Sequence, residues 1–132
     1  MVFSSLQFIF IFIPIFFKIY LMLGVNELGY KFEKIIEKYK ELIQFIKEKK
    51  PNITIFLQAN LHITSERSNS DDTFNNKFVN RLNTALSKPA NNKDIFYLDV
   101  NPLFDDENGN LLADKSSDNI HLYAKYYKEW GE

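Results

Sequence analysis

KFEKIIEKYKELIQFIKEKKPNITIFL, residues 31–57, carries two patterns in succession, and their order decides the fold. Phe32, Ile35, Ile36, Tyr39, Leu42, Ile43 and Ile46 recur at intervals of three and four with lysine and glutamate between them, which predicts an amphipathic helix over residues 31–50. Pro51 and Asn52 end it, because proline lacks the amide proton that a helix uses and its ring clashes with the turn before it. Residues 53–57 are β-branched or apolar without alternation, the pattern of a strand covered on both faces.

The same grammar extends in both directions. Residues 19–23 form a short apolar run closed by Gly24, which reads as a first buried strand, and Asn26 to Gly29 follows as a polar turn. Downstream, residues 64–72 are rich in serine, asparagine and aspartate and read as a loop. Phe74, Phe78, Val79, Leu82, Ala85 and Leu86 mark a second helix ending near Pro89. Residues 95–99 make a third strand, and Asn108-Gly109 favours a turn with positive φ. A closing helix is expected to start near His121 and to carry Leu122, Tyr126, Tyr127 and Trp130. Strands alternating with helices imply a parallel sheet with right-handed crossovers, an α/β layer fold.

Composition bounds the chemistry. The 132 residues are 45% hydrophobic and 25% charged, enough for one folded domain. Sixteen basic against 17 acidic residues leave a net charge of -1, so nothing favours nucleic acid or an anionic membrane surface. The absence of cysteine removes disulfides, thiolate nucleophiles and cysteine-bound metals. His62 and His121 lie far apart, and Asp99 with Asp105 to Glu107 matches no cation loop, so no metal and no cofactor is expected, and the acids read as a solvated turn.

Residues 1–18 differ from the rest. A run of phenylalanine and isoleucine from Phe8 to Phe17, broken by Pro14, forms an apolar leader ahead of a domain over residues 19–132. The run is short for a membrane helix, which needs roughly 20 apolar residues, and it lacks the basic start of a secretory signal. Three readings stand side by side: a buried first strand, an artefactual leader, and a membrane anchor extended through Leu23. The compartment, cytoplasmic or membrane-anchored and exported, stays open with them.

Chemistry concentrates in two places. Ser116-Ser117-Asp118-Asn119-Ile120-His121-Leu122 sets an acid three residues before a histidine, a compact way to hold an imidazole in one tautomer as a base. Gly24-Val25-Asn26-Glu27 offers a side-chain amide for a developing oxyanion. In open α/β sheets reactive groups gather outside the carboxyl ends of the strands, where Asn26, His62 and the Asp118–His121 turn all fall. Simpler roles exist for each. Asp118 would serve as a helix cap, Asn26 as a turn former and His62 as a partly exposed loop residue.

These segments resemble the SGNH (GDSL-type) hydrolases, serine esterases and acylhydrolases with a three-layer flavodoxin-like α/β fold. Residues 20–29 look like that family's third block, a strand ending in Gly-x-Asn-Asp or Gly-x-Asn-Glu. Residues 117–122 with Ala124 and Tyr127 look like its fifth block, Asp-x-x-His leading into the last helix. The resemblance implies His121 as general base, Asp118 as its orienting acid and Asn26 as oxyanion donor; Gly24, Glu27 and His62 are further candidates for lining the substrate. It implies a small ester or an O-acetylated carbohydrate as substrate.

One departure is large. The family's nucleophile sits in a Gly-Asp-Ser block before the Gly-x-Asn block, yet only 23 residues precede Gly24 here and none is glycine. Ser4 and Ser5 lack that context. The expectation is therefore an N-terminally truncated hydrolase domain that keeps base, acid and amide without turnover, or alternatively a membrane-tethered, non-catalytic α/β binding module. A sheet without its leading units exposes strand edge and apolar surface, so self-association and marginal stability are expected too.

Overall fold

The computed structural model describes residues 17–22 and 31–131. The expectations for the leader before Phe17 and for Gly24, Asn26 and Glu27 fall outside those residues. Three parallel strands, β1 (Lys18–Leu21), β2 (Thr54–Gln58) and β3 (Ile95–Leu98), lie in the order β1-β2-β3. Helix α1 (Phe32–Lys49) connects the first pair. Between the second pair run a single helical turn, α2 (Ser65–Asn69), and helix α3 (Asn76–Ser87). A short α4 (Tyr127–Gly131) closes the described chain.

Register sorts the side chains. Tyr20 aligns with Phe56 and Phe56 with Phe96, while Leu21 aligns with Leu57 and Leu57 with Tyr97. In a parallel sheet aligned residues share a face. Leu21, Ile55, Leu57 and Ile95 therefore point together and bury against Ile35, Tyr39 and Ile43 of α1 and Leu82 and Leu86 of α3. Ile55 and Leu57 are fully buried, each contributing about 1.5–3 kcal/mol of apolar burial. On the opposite face Tyr20, Phe56 and Phe96 stack in a row, with ring centroids 4.8 Å and 5.5 Å apart.

Lysine 47 ties the layers at one end. Its ammonium donates to the carbonyls of Pro51 (3.3 Å) and Ile53 (3.0 Å) and pairs with Asp94, just before β3. That contact, with Asn91 beside it, holds the Asp94 carboxyl below the usual range.

Three sequence expectations change here. Residues 19–23 were expected to form a strand buried on both faces, but β1 lies at the edge of the described sheet and leaves Tyr20 53% exposed. Residues 64–72 are not all loop: the Thr64 side chain accepts from the Arg67 amide and nucleates α2. The closing helix does not start at His121. Asn119 adopts φ 68°, which no helix accommodates, and a 3-10 turn over Ala124–Tyr126 precedes α4.

Candidate active site

The loop leaving β2, residues 59–64, runs through the interior with Ala59, Asn60, His62, Ile63 and Thr64 all buried. A buried loop must find partners for its backbone groups, and this one takes them from asparagine side chains. Asn83 of α3 grips Asn60 twice, accepting from its amide at 2.8 Å and donating to its carbonyl at 2.9 Å. Asn76 does the same for Ile63, at 2.8 Å and 2.7 Å, and donates onward to Asn110. Asn101, past β3, accepts from the His62 amide and donates to the Asn60 carbonyl. Side-chain amides here replace the neighbouring strand that the loop has left behind.

Removing one of these amides should be costly while a neighbour on the same helix is not. Asn76→Ala leaves the Ile63 N–H and carbonyl buried without those partners and is expected to lower stability by about 1–3 kcal/mol in urea denaturation. Thr84→Ala, on the exposed side of α3, should stay within about 0.5 kcal/mol.

His62 is buried, where the sequence suggested partial exposure. Its Nδ1 lies 2.7 Å from Asp105 Oδ2 and its Nε2 lies 2.7 Å from Asn80 Oδ1. Two oxygen acceptors on one ring call for both nitrogens to carry protons. Burial opposes that charge, but the hydrogen bonds that the ring donates to Asp105 and Asn80 and the charges of Asp105 and Asp99 outweigh it and raise the His62 pKa. The expected substrate-lining role of His62 finds no ring nitrogen free. Asp105 is likewise not part of a solvated acidic turn: its side chain is 11% exposed, and its second oxygen, Oδ1, is buried without a hydrogen-bond partner among the described residues. Asp106 is the turn former, accepting from the Asn108 and Asn110 amides around Gly109 at φ 76°.

Asp118 and His121 meet as the sequence predicts. Asp118 Oδ2 lies 2.6 Å from His121 Nδ1, and Oδ1 accepts from the His121 amide (2.7 Å), the Ile120 amide (2.9 Å) and the Ser116 hydroxyl (3.1 Å). The amide and ring of His121, then the Ile120 amide, hold the Asp118 carboxyl far below the usual range. Asp118 is thus an ionised acceptor at any ordinary pH and fixes the imidazole with Nδ1 inward. The ring itself is 71% exposed, and among the described residues its Nε2 has no partner. Asp118 caps its own turn, not the last helix.

The turn is anchored to the buried loop. The Thr64 amide donates to the Asn119 carbonyl at 3.1 Å, and the Thr64 hydroxyl donates to Asn119 Oδ1 at 3.0 Å. An isolated antiparallel bridge pairs Ser116 with Leu122, and Leu122 packs with Phe104 and Leu111 beneath the turn. The carboxyl ends of β2 and β3 therefore feed one connected edge that carries Asp118 and His121, while Asn26 lies outside the described residues. The asparagine clamps, the Asp105–His62–Asn80 set and Thr64 had no sequence signal beyond an abundance of asparagine, which turns and loops share.

A family model for the GDSL-like lipase/acylhydrolase family matches residues 18–128. The chain belongs to that family. No curated relative matches it. Among solved structures, one described as "The structure of a putative platelet activating factor from Streptococcus pneumonia" superposes with a TM-score of 0.71 at 20% identity. The match covers 85% of this chain and 55% of that one, so this member of the GDSL-like family spans about half of that neighbour's length. The likeness establishes the fold: a parallel α/β sheet of the flavodoxin-like type seen in these hydrolases.

Proposed function

We propose that this chain carries the acid and base of a serine ester hydrolase site acting on a carboxylic ester, an O-acetylated carbohydrate among the candidates, and that the chain alone does not turn over. The observation that carries the reading is the Asp118–His121 pair. A 2.6 Å contact fixes Nδ1 and leaves Nε2 facing outward, the orientation in which an imidazole takes a proton from an attacking hydroxyl. Membership of a lipase/acylhydrolase family supports the reaction class. Asn26 is assigned the oxyanion amide by its place in the Gly-x-Asn-Glu block. The lack of turnover follows from the nucleophile: no serine of this chain lies in a Gly-Asp-Ser context, and among the described residues none bonds His121.

A short-chain aryl ester tests the reading. Purified protein and His121→Ala are expected to hydrolyse it at the same background rate, and a fluorophosphonate probe is expected to label no serine on peptide mapping. Turnover that falls on the order of 10⁴-fold in His121→Ala would overturn the claim of inactivity and reveal an activated nucleophile.

A further inference from the structure

The geometry points to Thr64 as the positioning residue for His121: through its hydroxyl bond to Asn119 it holds the Asp118–His121 turn in the one conformation that presents Nε2 outward. The inference rests on the reading of Asp118 and His121 as an orienting pair. Three observations converge on it. Asn119 sits between the two residues in the left-handed region, φ 68°, a conformation that costs most side chains energy and that asparagine adopts when its side chain is held locally. The only side chain that the described residues bring to Asn119 Oδ1 is Thr64, at 3.0 Å, and the two backbones add a 3.1 Å bond. Thr64 is 1% exposed, on a loop whose carbonyls and amides are clamped by Asn83, Asn76 and Asn101.

The mechanical consequence is a chain of rigid parts ending in an exposed ring. Asp118 and His121 are themselves exposed, so packing alone does not fix their turn. Thr64 transmits the order of the interior to it. A hydroxyl is required at position 64 and a methyl is not, because the hydroxyl both donates to Asn119 and accepts from the Arg67 amide at 3.4 Å.

The readout is the tautomer of the neutral His121 ring, taken from imidazole ¹⁵N shifts in mildly alkaline buffer, which a loss of global stability alone does not move. In the wild-type chain the Nδ1–H form should predominate. Thr64→Val should lower the ratio of Nδ1–H to Nε2–H about fivefold, the change that one hydrogen bond of ordinary strength supports. Thr64→Ser should restore it. Asn119→Gly, which keeps the left-handed backbone without strain but removes Oδ1, should behave as Thr64→Val does, and it decides the matter should the valine variant fail to fold. A wild-type ring without an Nδ1–H preference would sink the orienting pair itself. A wild-type preference that survives Thr64→Val, or survives Asn119→Gly, would overturn the role of Thr64 and leave the pair intact.

Discussion

His62→Leu is expected to destabilise the protein by about 3–5 kcal/mol and to lower its melting temperature by roughly 10–20 °C. The loss is large because of what the substitution leaves behind. The Asp105 side chain is 11% exposed, its Oδ1 has no partner among the described residues, and its Oδ2 accepts from the His62 ring at 2.7 Å. Leucine fills most of the ring's volume but strands an ionised carboxylate in the interior, where solvation is several kcal/mol poorer than in water. The double variant His62→Leu with Asp105→Leu should recover most of the loss, because removing both charges is far cheaper than removing one. Thermal melts of the wild type and the variants check this, and a double variant as unstable as the single would place the cost in packing instead.

The same pair predicts the pH dependence. The folded-state pKa of His62 is raised above its ordinary value near 6.5. A raised histidine stabilises fully below the unfolded-state value and loses that contribution as the pH climbs through the folded one. Wild-type stability should therefore fall as the pH rises from the ordinary histidine value through the raised folded-state one, and His62→Leu should flatten that limb. The carboxylate of Asp118 acts at the other end: its pKa is lowered, so its contribution is present above the ordinary carboxylate range and vanishes only in strong acid.

Phe104→Ala is expected to cost about 3–5 kcal/mol, with an effect reaching the Asp118–His121 turn. Phe104 is fully buried and joins Leu111 and Leu122 in a small cluster separate from the sheet core, with Tyr126 and Trp130 against it. Truncation to alanine removes the platform under Leu122, the residue after His121 and the partner of Ser116 in the isolated bridge. Amide exchange should rise first over residues 116–126 and last over β2, whose Ile55 and Leu57 belong to the other cluster. Uniform acceleration across both regions would show instead that the two clusters unfold as one.

What the sequence disclosed and what it hid divide along a physical line. Periodicity reports burial of one face, so α1, α3 and the three strands were legible to within a residue or two from Ile35, Tyr39, Ile43, Ile55 and Leu57. The spacing of Asp118 and His121 was legible because a three-residue separation closes a hydrogen bond within one turn. Long-range polar contacts leave no such trace. Asn76 and Asn83 look like ordinary helix-surface amides until the loop from β2 is laid against them, and Asp105 looks like one more acid beside Asp106 and Glu107. Thr64 opens a stretch so polar that loop was the natural reading, although its hydroxyl starts a helical turn. The exposure of Tyr20 leaves no trace in the sequence, because strand apolarity says nothing of whether a strand lies in the middle or at the rim of a sheet.

The stacked pair Tyr127 and Trp130, with centroids 5.6 Å apart, contains the one tryptophan of the chain. Indole emission from this protein therefore reports on the terminal segment that follows His121 and is blind to the β-sheet. Fluorescence melts should run ahead of far-ultraviolet dichroism wherever the last turns fray early, and the gap between the two curves measures how firmly the end of the molecule is fastened.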